Sequence, residues 1–168
     1  MWSRAEILLA TGGKILGEGY GAVFGEVVTD SGKVVKGSVF VALKGERFDG
    51  HDFLKEAVRR GASCLVVHKR PGVFQTKGTT VIQVPDTLKA LGDLAHHRRK
   101  TVAPKVLAIT GSNGKTTTKE MVAAILERAS IQGRSLRGRV LKTEGNFNNL
   151  VILLIVYSRL TFSVNAAK

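Results

Sequence analysis

Several residue types are scarce in this 168-residue sequence, and each shortage excludes a class of protein. The single cysteine, Cys64, excludes an internal disulfide and a cysteine metal cluster. Because it lies in the apolar run 64–67, we expect a small buried hydrophobic residue and not a nucleophile. Only three prolines accompany 19 glycines, which is typical of an α/β protein with many turns.

Long apolar runs are also missing. The longest, 150–157, is much shorter than the ~20 residues of a membrane-spanning helix, so we expect no membrane insertion. Residues 1–10 mix Trp, Arg and Glu and do not follow the basic-then-apolar pattern of a secretion signal. Together with the single cysteine, this predicts a cytoplasmic protein.

Acidic residues are few, since 13 stand against 26 basic residues and give a formal charge of +13. Such a surplus suits a polyanionic partner, and nucleic acid, a nucleoside diphosphate sugar and ATP all qualify. Aromatic residues make up only 6% and do not alternate with basic ones as in RNA-recognition motifs, so we expect no nucleic acid partner. Two basic clusters, 96–100 and 134–142, are interpreted as a solvated helix end and a solvated loop.

The first hundred residues show the alternating strand and helix patterns of an α/β domain. The predicted strands are 23–28, 38–43, 64–67 and 79–84, with a short strand near Ile15, and the predicted helices are 1–10, 51–60 and 87–99. Asp49 and Asp86 precede two of these helices as N-caps. The run 100–105 contains a proline and has no apolar periodicity, so it predicts a boundary between one domain, 1–102, and a second, 103–168.

The most informative stretch is 109–121, with the sequence ITGSNGKTTTKEM. A short apolar run, 106–109, predicts a strand before it. Apolar residues that recur from Val122 to Ala129 predict a helix after it. The order strand, glycine-bearing turn, helix is the context of a phosphate-binding loop.

The residue types in this turn suit an anion. Gly111 and Gly114 let successive N–H groups point into one concavity at a helix N-terminus. Lys115 adds a positive charge that can reach a terminal phosphate, and Thr116 adds a hydroxyl oxygen, the ligand type that Mg²⁺ prefers. Residue 109 is isoleucine where the full P-loop pattern has glycine, so this is the shorter G-x-x-G-K-T form. The alternative interpretation is a glycine-rich turn with a solvated lysine.

Two segments, TGSNGKTTTKEM at 110–121 and GNFNN at 145–149, resemble the nucleotide loop and a later segment of the Mur ligases, ATP-dependent enzymes that build the peptidoglycan precursor. The segments TDS at 29–31, VFVALKG at 39–45 and FDGH at 48–51 are similar to the family domain that holds the UDP part of the substrate. The resemblance implies an α/β fold in which a small N-terminal UDP-substrate domain precedes the first strand, P-loop and helix of a central ATPase domain.

The resemblance implies a ligase that joins D-alanyl-D-alanine to UDP-N-acetylmuramoyl-tripeptide through an acyl phosphate. ATP and Mg²⁺ are the implied cofactors. Lys115 and Thr116 are the implied catalytic residues, with Thr116 on Mg²⁺, because this chemistry needs charge neutralisation on the phosphoryl oxygens. The implied nucleotide-binding residues are Gly111, Ser112, Asn113, Gly114, Lys115, Thr116 and Thr117.

Substrate contacts are implied for one serine and three asparagines. They are Ser31, Asn146, Asn148 and Asn149. A turn hydroxyl that bonds its own backbone is an equal alternative for Ser31, and an Asn-rich turn is the alternative for the others. Family members usually carry arginine after Asp-Ser, whereas this chain has Gly32, which leaves the uridine-side contact open. The nearby His51 is interpreted as a first-turn helix residue and not as a ligand.

The likeness to the family fades after Asn149, which implies a central domain truncated near its start. The basic stretch 127–139 looks longer than the family turn and is either a surface loop or the product of a sequence error. We therefore expect these 168 residues to be inactive alone, monomeric, and less stable after about residue 105 than before it. A non-catalytic module that binds a UDP-sugar or a nucleotide is the alternative.

Overall fold

The computed structural model describes residues 1–71, 78–131 and 133–143 of the chain. The strands are β1 (Trp2–Ser3), β2 (Lys14–Gly17), β3 (Val23–Phe24), β4 (Val27–Val28), β5 (Val39–Val41), β6 (Cys64–Val67), β7 (Thr80–Gln83), β8 (Ser130–Ile131) and β9 (Arg134–Ser135). The helices are α1 (Arg4–Thr11), α2 (Leu54–Arg59), α3 (Thr87–Val102) and α4 (Lys115–Arg128). Short 3₁₀ turns are formed by Ser31–Lys33 and Gly50–Phe53.

A five-stranded sheet in the order β2-β7-β6-β5-β4 forms the centre of the first part of the chain. Strands β4 to β7 pair in parallel, and β2 pairs antiparallel with β7 at one edge. Parallel strands need helices on both faces of the sheet, because both faces carry apolar side chains. The α/β fold class expected from the sequence is confirmed.

The side chains of the central strands point alternately into two hydrophobic layers. Val39 and Val41 of β5 pack with α1 and α3 on one face, whereas Phe40 packs with α2 on the other. The first layer includes Ile7, Val27, Cys64, Val66, Ile82, Leu91 and Leu94. The second includes Val28, Leu54, Ala57, Leu65, Val67 and Val81. Each fully buried Val, Leu or Ile in these layers stabilises the fold by about 1.5–3 kcal/mol.

Local signals located several elements correctly. Strand β6 covers the predicted run 64–67, and Cys64 is fully buried there, which raises the pKa of its thiol to about 12. Helix α3 begins at the predicted residue because the Asp86 carboxylate accepts the Lys89 N–H (2.9 Å). The helix continues to Val102, beyond its predicted end at residue 99.

Residues 23–28 form two short strands and not the single strand that was predicted. Strand β3 pairs antiparallel with β1, whereas β4 pairs in parallel with β5. Between them the Gly25 N–H donates to the Gly37 carbonyl (2.7 Å). The chain thus changes partners inside one β-branched run, which its sequence alone does not reveal.

The prediction of a fully solvated helix end at 96–100 is wrong for Arg98. Its side chain is buried, and its guanidinium lies 3.9 Å from the centre of the Trp2 ring. The Arg98 Nη2 also donates to the Met1 carbonyl (2.7 Å). These contacts hold the start of the chain against α3, and a cation over an aromatic face is favourable when it is desolvated.

The strand predicted at 106–109 is not formed. The described strands do not pair with these residues, and the side chains of Val106 and Leu107 are 45% and 64% exposed. A strand that is apolar on both faces needs a layer on each side, which the described residues do not supply here. In α4, Ala123 is buried, but Ile125 of the predicted apolar stripe is 65% exposed, and Met121, which lies before the stripe, is 60% exposed.

The basic cluster at 134–142 begins with β9, which pairs with β8 in a two-stranded hairpin, and the side chains of both strands are exposed. This confirms the prediction of a solvated segment for its arginines at 134, 137 and 139. In the described parts of the chain, no helix has the length and apolar character needed to cross a bilayer.

Candidate functional site

A pocket of about 290 Å³ opens at the carboxyl ends of β4 and β5. Its lining includes Thr29, Ser31, Phe40, Leu43, Phe48 and Phe53. The carboxyl ends of neighbouring parallel strands meet at one edge of a sheet, where open α/β folds bind their ligands. The exposed rings of Phe48 and Phe53 beside backbone and hydroxyl groups suit a flat heterocycle that needs stacking and a few polar contacts.

The pocket loop is fixed to the sheet by Gly50. Its N–H donates to the Leu43 carbonyl (2.7 Å). A Cβ at this position would lie 2.8 Å from the backbone N and O of Leu43, so only glycine permits the approach. The Lys44–Asp49 bridge closes the loop between them and holds Phe48 at the pocket wall.

His51 joins this loop to the next strand. Its Nδ1 lies 2.7 Å from Asp49 Oδ1, and its Nε2 accepts the His68 backbone N–H (3.2 Å). Because Nε2 is an acceptor here, the imidazole is neutral and carries its proton on Nδ1. Burial lowers the pKa of His51 below its ordinary value, and its side chain is 3% exposed. His51 is therefore a buried connector with both ring nitrogens in use, a role that the sequence did not reveal. It lies in the 3₁₀ turn directly before α2, near the first-turn helix position that the sequence interpretation gave it.

Asp49 works as the predicted cap and also as an ion-pair partner. Its Oδ1 accepts the His51 backbone N–H (2.9 Å), which starts the 3₁₀ turn. Its Oδ2 accepts the Lys69 ammonium (2.7 Å). This hydrogen bond from Lys69 is the largest influence that holds the pKa of Asp49 well below its usual value.

Ser31 lies at the pocket rim, at the start of its own 3₁₀ turn. The turn is capped by Asp30, whose Oδ1 accepts the Gly32 N–H (2.8 Å). The Ser31 hydroxyl donates to Glu56 Oε2 (3.2 Å) and does not bond its own backbone in the way the turn alternative would require. The resemblance implied a substrate contact for Ser31, which the structure puts in the pocket lining, but the sequence did not reveal its partner Glu56 on α2.

The predicted phosphate-binding turn precedes α4. Gly111 and Gly114 have φ angles of +151° and +74°, both in the region that favours glycine. Gly114 is the N-cap, α4 begins at Lys115, and the helical hydrogen bonds start with the Thr118 N–H to the Gly114 carbonyl (2.9 Å). The turn therefore lies at the positive end of a helix dipole, as the sequence predicted.

Lys115 folds back over this turn. Its Nζ donates to the carbonyls of Gly111 and Ser112, the second at 3.2 Å. The ammonium thus lies against the turn, and these hydrogen bonds are exposed to solvent. Residues Ser112, Asn113, Thr116 and Thr117 of the predicted set are exposed around it. The structure brings Gly111 to Thr117 together in one turn, which is consistent with an anion site.

The fit to magnesium is partial. Thr116 stands in the first turn of α4 and offers one hydroxyl oxygen, whereas Mg²⁺ takes about six oxygen ligands. The described residues contain no group of three or more His, Cys, Asp or Glu placed to hold a metal ion. Thr116 is therefore suited to be one ligand of an ion held mainly by phosphate and water oxygens.

The segment leading to the asparagines lies beside α4. Lys119 Nζ donates to the Thr143 carbonyl (2.7 Å), and Lys142 forms an ion pair with Glu120. The hydrogen bond from Lys142 is the main influence that lowers the pKa of Glu120. The predicted substrate residues Asn146, Asn148 and Asn149 lie outside the described residues.

Two family models match the chain in sequence order. The model described as "Mur ligase family, catalytic domain" matches residues 24–99, and "Mur ligase middle domain" matches residues 109–162. UDP-N-acetylmuramoyl-tripeptide–D-alanyl-D-alanine ligase of Haemophilus influenzae is 42% identical over 136 residues. That match covers 81% of this chain and 28% of the relative, so the chain spans little more than a quarter of the relative's length.

Solved structures give the same result. A UDP-N-acetylmuramoylalanyl-D-glutamyl-2,6-diaminopimelate–D-alanyl-D-alanyl ligase from Acinetobacter baumannii is 34% identical with a TM-score of 0.79, over 95% of this chain and 34% of that one. A ligase of the same type from Thermotoga maritima, in complex with ADP, is 32% identical with a TM-score of 0.59, over 81% of this chain and 29% of that one.

The pocket at the sheet edge lies within the residues matched by the first family model, and the turn before α4 lies within those matched by the second. Sequence, fold and order of the two parts thus agree, and the chain belongs to the Mur ligase family.

Proposed function

We propose that the chain carries the UDP-binding and the ATP-binding elements of an ATP-dependent ligase that joins D-alanyl-D-alanine to UDP-N-acetylmuramoyl-tripeptide. The observation that carries this proposal is the turn before α4. Its two glycines have φ angles of +151° and +74°, and its lysine ammonium rests against the turn. The ligase identity rests on the similarity to the Haemophilus influenzae enzyme, of which this chain spans 28%.

The residues of the turn divide the work on the nucleotide. ATP supplies the phosphoryl group that activates the substrate carboxylate. The backbone N–H groups from Gly111 to Thr117 hold phosphate oxygens at the positive end of the α4 dipole. Lys115 leaves the carbonyls it contacts in this structure and neutralises charge on the phosphoryl oxygens, and Thr116 is one ligand of Mg²⁺.

The pocket at the ends of β4 and β5 holds the uridine end of the substrate in this proposal. Phe48 and Phe53 line the pocket with exposed rings that can stack on a base, whereas Phe40 lines it from the core and is buried. Ser31 provides a hydroxyl at the rim. The volume of about 290 Å³ matches part of a nucleotide and not a whole UDP-linked peptide, which would extend out of the pocket.

The asparagine segment is proposed to lie near the phosphates and the bound peptide. Support comes from the contact between Lys119 and the Thr143 carbonyl, which holds the chain one helical turn from Lys115. Asn146 follows Thr143 by three residues, a reach of roughly 10 Å in an extended chain. We extend the proposal to Asn148 and Asn149, because they follow Asn146 by only two and three residues.

The proposal keeps the domain division at residues 1–102 and 103–168, a cytoplasmic location, and a monomer. The first part contains both hydrophobic layers of the five-stranded sheet. In the second part, α4 exposes Met121 and Ile125. We propose that these 168 residues alone bind nucleotides but do not complete the ligase reaction.

A Lys115→Ala variant tests the ATP site. Loss of the ammonium removes a charge-assisted contact to phosphate, so we expect ATP affinity to fall about tenfold or more. Isothermal titration calorimetry on the whole chain with MgATP measures it. Lys89→Ala is the matched control, because Lys89 is also a lysine on a helix but lies on α3, where its ammonium pairs with Asp93. Unchanged ATP affinity in the Lys115 variant would contradict the loop assignment.

The second candidate is a non-catalytic module that binds a UDP-sugar or a nucleotide. The observation that favours it is the pocket and the two-layered core within residues 1–102, compared with an α4 whose Met121 and Ile125 are exposed. Phosphate release that depends on UDP-N-acetylmuramoyl-tripeptide, ATP and D-alanyl-D-alanine separates the two. Because we expect no release from these 168 residues alone, the assay is made on this chain joined to the remaining part of the Haemophilus influenzae ligase. Release by the joined protein would support the ligase, and UDP binding without release even there would support the module.

A further inference from the structure

Ser31, which lines the pocket, belongs to a closed set of hydrogen bonds with Gly32, Glu56 and Arg60. Arg60 Nε donates to Glu56 Oε1 (2.8 Å), and Arg60 Nη1 donates to the Gly32 carbonyl (3.3 Å). The other oxygen of the same carboxylate, Glu56 Oε2, accepts the Ser31 hydroxyl (3.2 Å). Helix α2 is thereby linked to the turn that carries Ser31, and the Glu56 carboxylate is held from two sides.

The direction of the Ser31 hydrogen bond limits what Ser31 can do for a ligand. A serine hydroxyl has one hydrogen and two acceptor lone pairs. Because the hydrogen is given to the Glu56 carboxylate, the oxygen faces a ligand as an acceptor only. It can take an N–H or O–H from a nucleoside, but it cannot donate to a phosphate oxygen. The negative charge of Glu56 further disfavours a phosphate at this point.

We infer that Glu56 is a positioning residue that makes Ser31 an acceptor and so selects a ligand donor group, either the imide N–H of a uracil base or a ribose hydroxyl. The inference rests on the proposed function of the pocket. Arg60 supports it by fixing the Glu56 side chain through Oε1. The side chains of Glu56 and Arg60 are 34% and 40% exposed. An exposed ion pair at i and i+4 adds little to stability, so we assign the effect of Glu56 to ligand selection.

The test is the affinity of the whole chain for three ligands, namely UDP, N3-methyl-UDP and 2′-deoxy-UDP. We expect Ser31→Ala to lower UDP affinity about tenfold, the loss of one hydrogen bond to the ligand. In Glu56→Gln the amide can donate to Ser31, so its hydroxyl is no longer confined to an acceptor role. We therefore expect Glu56→Gln to lower UDP affinity about fivefold. The preference for UDP over one of the two analogues, N3-methyl-UDP or 2′-deoxy-UDP, should shrink toward the preference that Ser31→Ala shows.

A double-mutant cycle separates positioning from a structural effect. In the Ser31→Ala background, Glu56→Gln should change UDP affinity less than about twofold, because the residue that Glu56 positions is gone. The Asp93→Ala variant is the control, because it removes the acidic partner of another i,i+4 ion pair, Lys89–Asp93, which lies on α3. It should bind all three ligands as the unchanged chain does. Circular dichroism should show the same thermal unfolding for Glu56→Gln and the unchanged chain within a few degrees.

The outcomes distinguish two failures. If the unchanged chain binds UDP but Glu56→Gln keeps its affinity and its preference among the ligands, the role of Glu56 is refuted and the pocket assignment stands. The role of Glu56 is also refuted if Glu56→Gln changes UDP affinity by the same factor in the unchanged chain and in the Ser31→Ala background. If the unchanged chain does not bind UDP, both the pocket assignment and this inference are refuted.

Discussion

His51 is the residue whose replacement tests how the pocket loop is attached to the sheet. Its imidazole bonds Asp49 on one side (2.7 Å) and accepts the His68 backbone N–H on the other (3.2 Å). His51→Ala removes both contacts at a position that is 9% exposed. The His68 N–H then loses its acceptor, and the Asp49 carboxylate loses one of its donors.

The expected cost follows from these two losses. A buried donor left without an acceptor costs about 1–3 kcal/mol, and the lost imidazole packing adds roughly 1 kcal/mol more. We therefore expect His51→Ala to lower the free energy of unfolding by about 2–4 kcal/mol. His51→Gln keeps a side-chain acceptor near His68, so its cost should be smaller.

Urea unfolding followed by Trp2 fluorescence measures this cost. Trp2 is the single tryptophan and is buried in the first hydrophobic layer, so its signal reports the unfolding of that part of the chain. A loss of about 3 kcal/mol moves the urea midpoint by roughly 1–3 M at the m-values usual for small proteins. His96→Ala is the control, because His96 is an exposed histidine on α3 and should cost less than about 0.5 kcal/mol.

The pH dependence of unfolding has a definite sign. Burial lowers the pKa of folded His51 below its ordinary value of 6.5. Above pH 6.5 both states carry a neutral ring, and the stabilisation is fully present. As the pH falls below this value the unfolded chain binds the proton first, so stability is lost until the folded pKa is passed. His51 alone contributes a slope of at most about 1.4 kcal/mol per pH unit.

The difference between the unchanged chain and His51→Gln isolates this contribution. We expect the unchanged chain to lose more stability between pH 7.5 and 5 than the variant does. Equal losses, or a cost below about 0.5 kcal/mol for His51→Ala at pH 7.5, would refute the reasoning that a neutral, doubly bonded imidazole holds the loop.

Two further predictions concern the pocket and the second part of the chain. Gly50→Ala should destabilise the chain by about 1–3 kcal/mol and weaken UDP binding, because the added Cβ meets the Leu43 backbone at 2.8 Å. Chemical denaturation measures the loss of stability, and calorimetry measures the UDP affinity. Full UDP affinity in this variant would contradict the described loop geometry. Backbone amides of β5 and β6 should exchange with solvent far more slowly than those of α4, because the side chains of β5 and β6 are buried whereas Ile125 of α4 is 65% exposed. Hydrogen exchange followed by mass spectrometry measures this difference. Equal protection of the three elements would contradict the predicted lower stability after residue 105.

Elements that depend on short-range signals were predictable from the sequence. The run 64–67 has only apolar residues between turns, and Asp86 lies directly before an amphipathic stretch, so β6 and the start of α3 follow from local chemistry. The turn before α4 was also predictable, because Gly111, Gly114 and Lys115 are adjacent in sequence and the helix amides follow them.

Features that depend on distant partners were not predictable. The division of 23–28 into two strands follows from pairing with Trp2–Ser3 and with β5, and no local signal marks it. Ser31 meets Glu56 across 25 positions, and only the packing of α2 on the sheet brings them together. The run 106–109 has the composition of a strand but does not form one, because pairing requires a neighbour that the described strands do not provide.

The most direct test of the account is a pair of amide chemical-shift titrations of the whole chain, one with UDP and one with MgATP. The account predicts two separate sets of shifts. UDP should move the amides of Thr29, Ser31 and Gly50 at the sheet edge, and MgATP should move those of Gly111 to Thr118 before and within α4. Shifts from MgATP that spare the turn before α4, or UDP shifts that avoid the sheet edge, would contradict the assignment of two nucleotide sites.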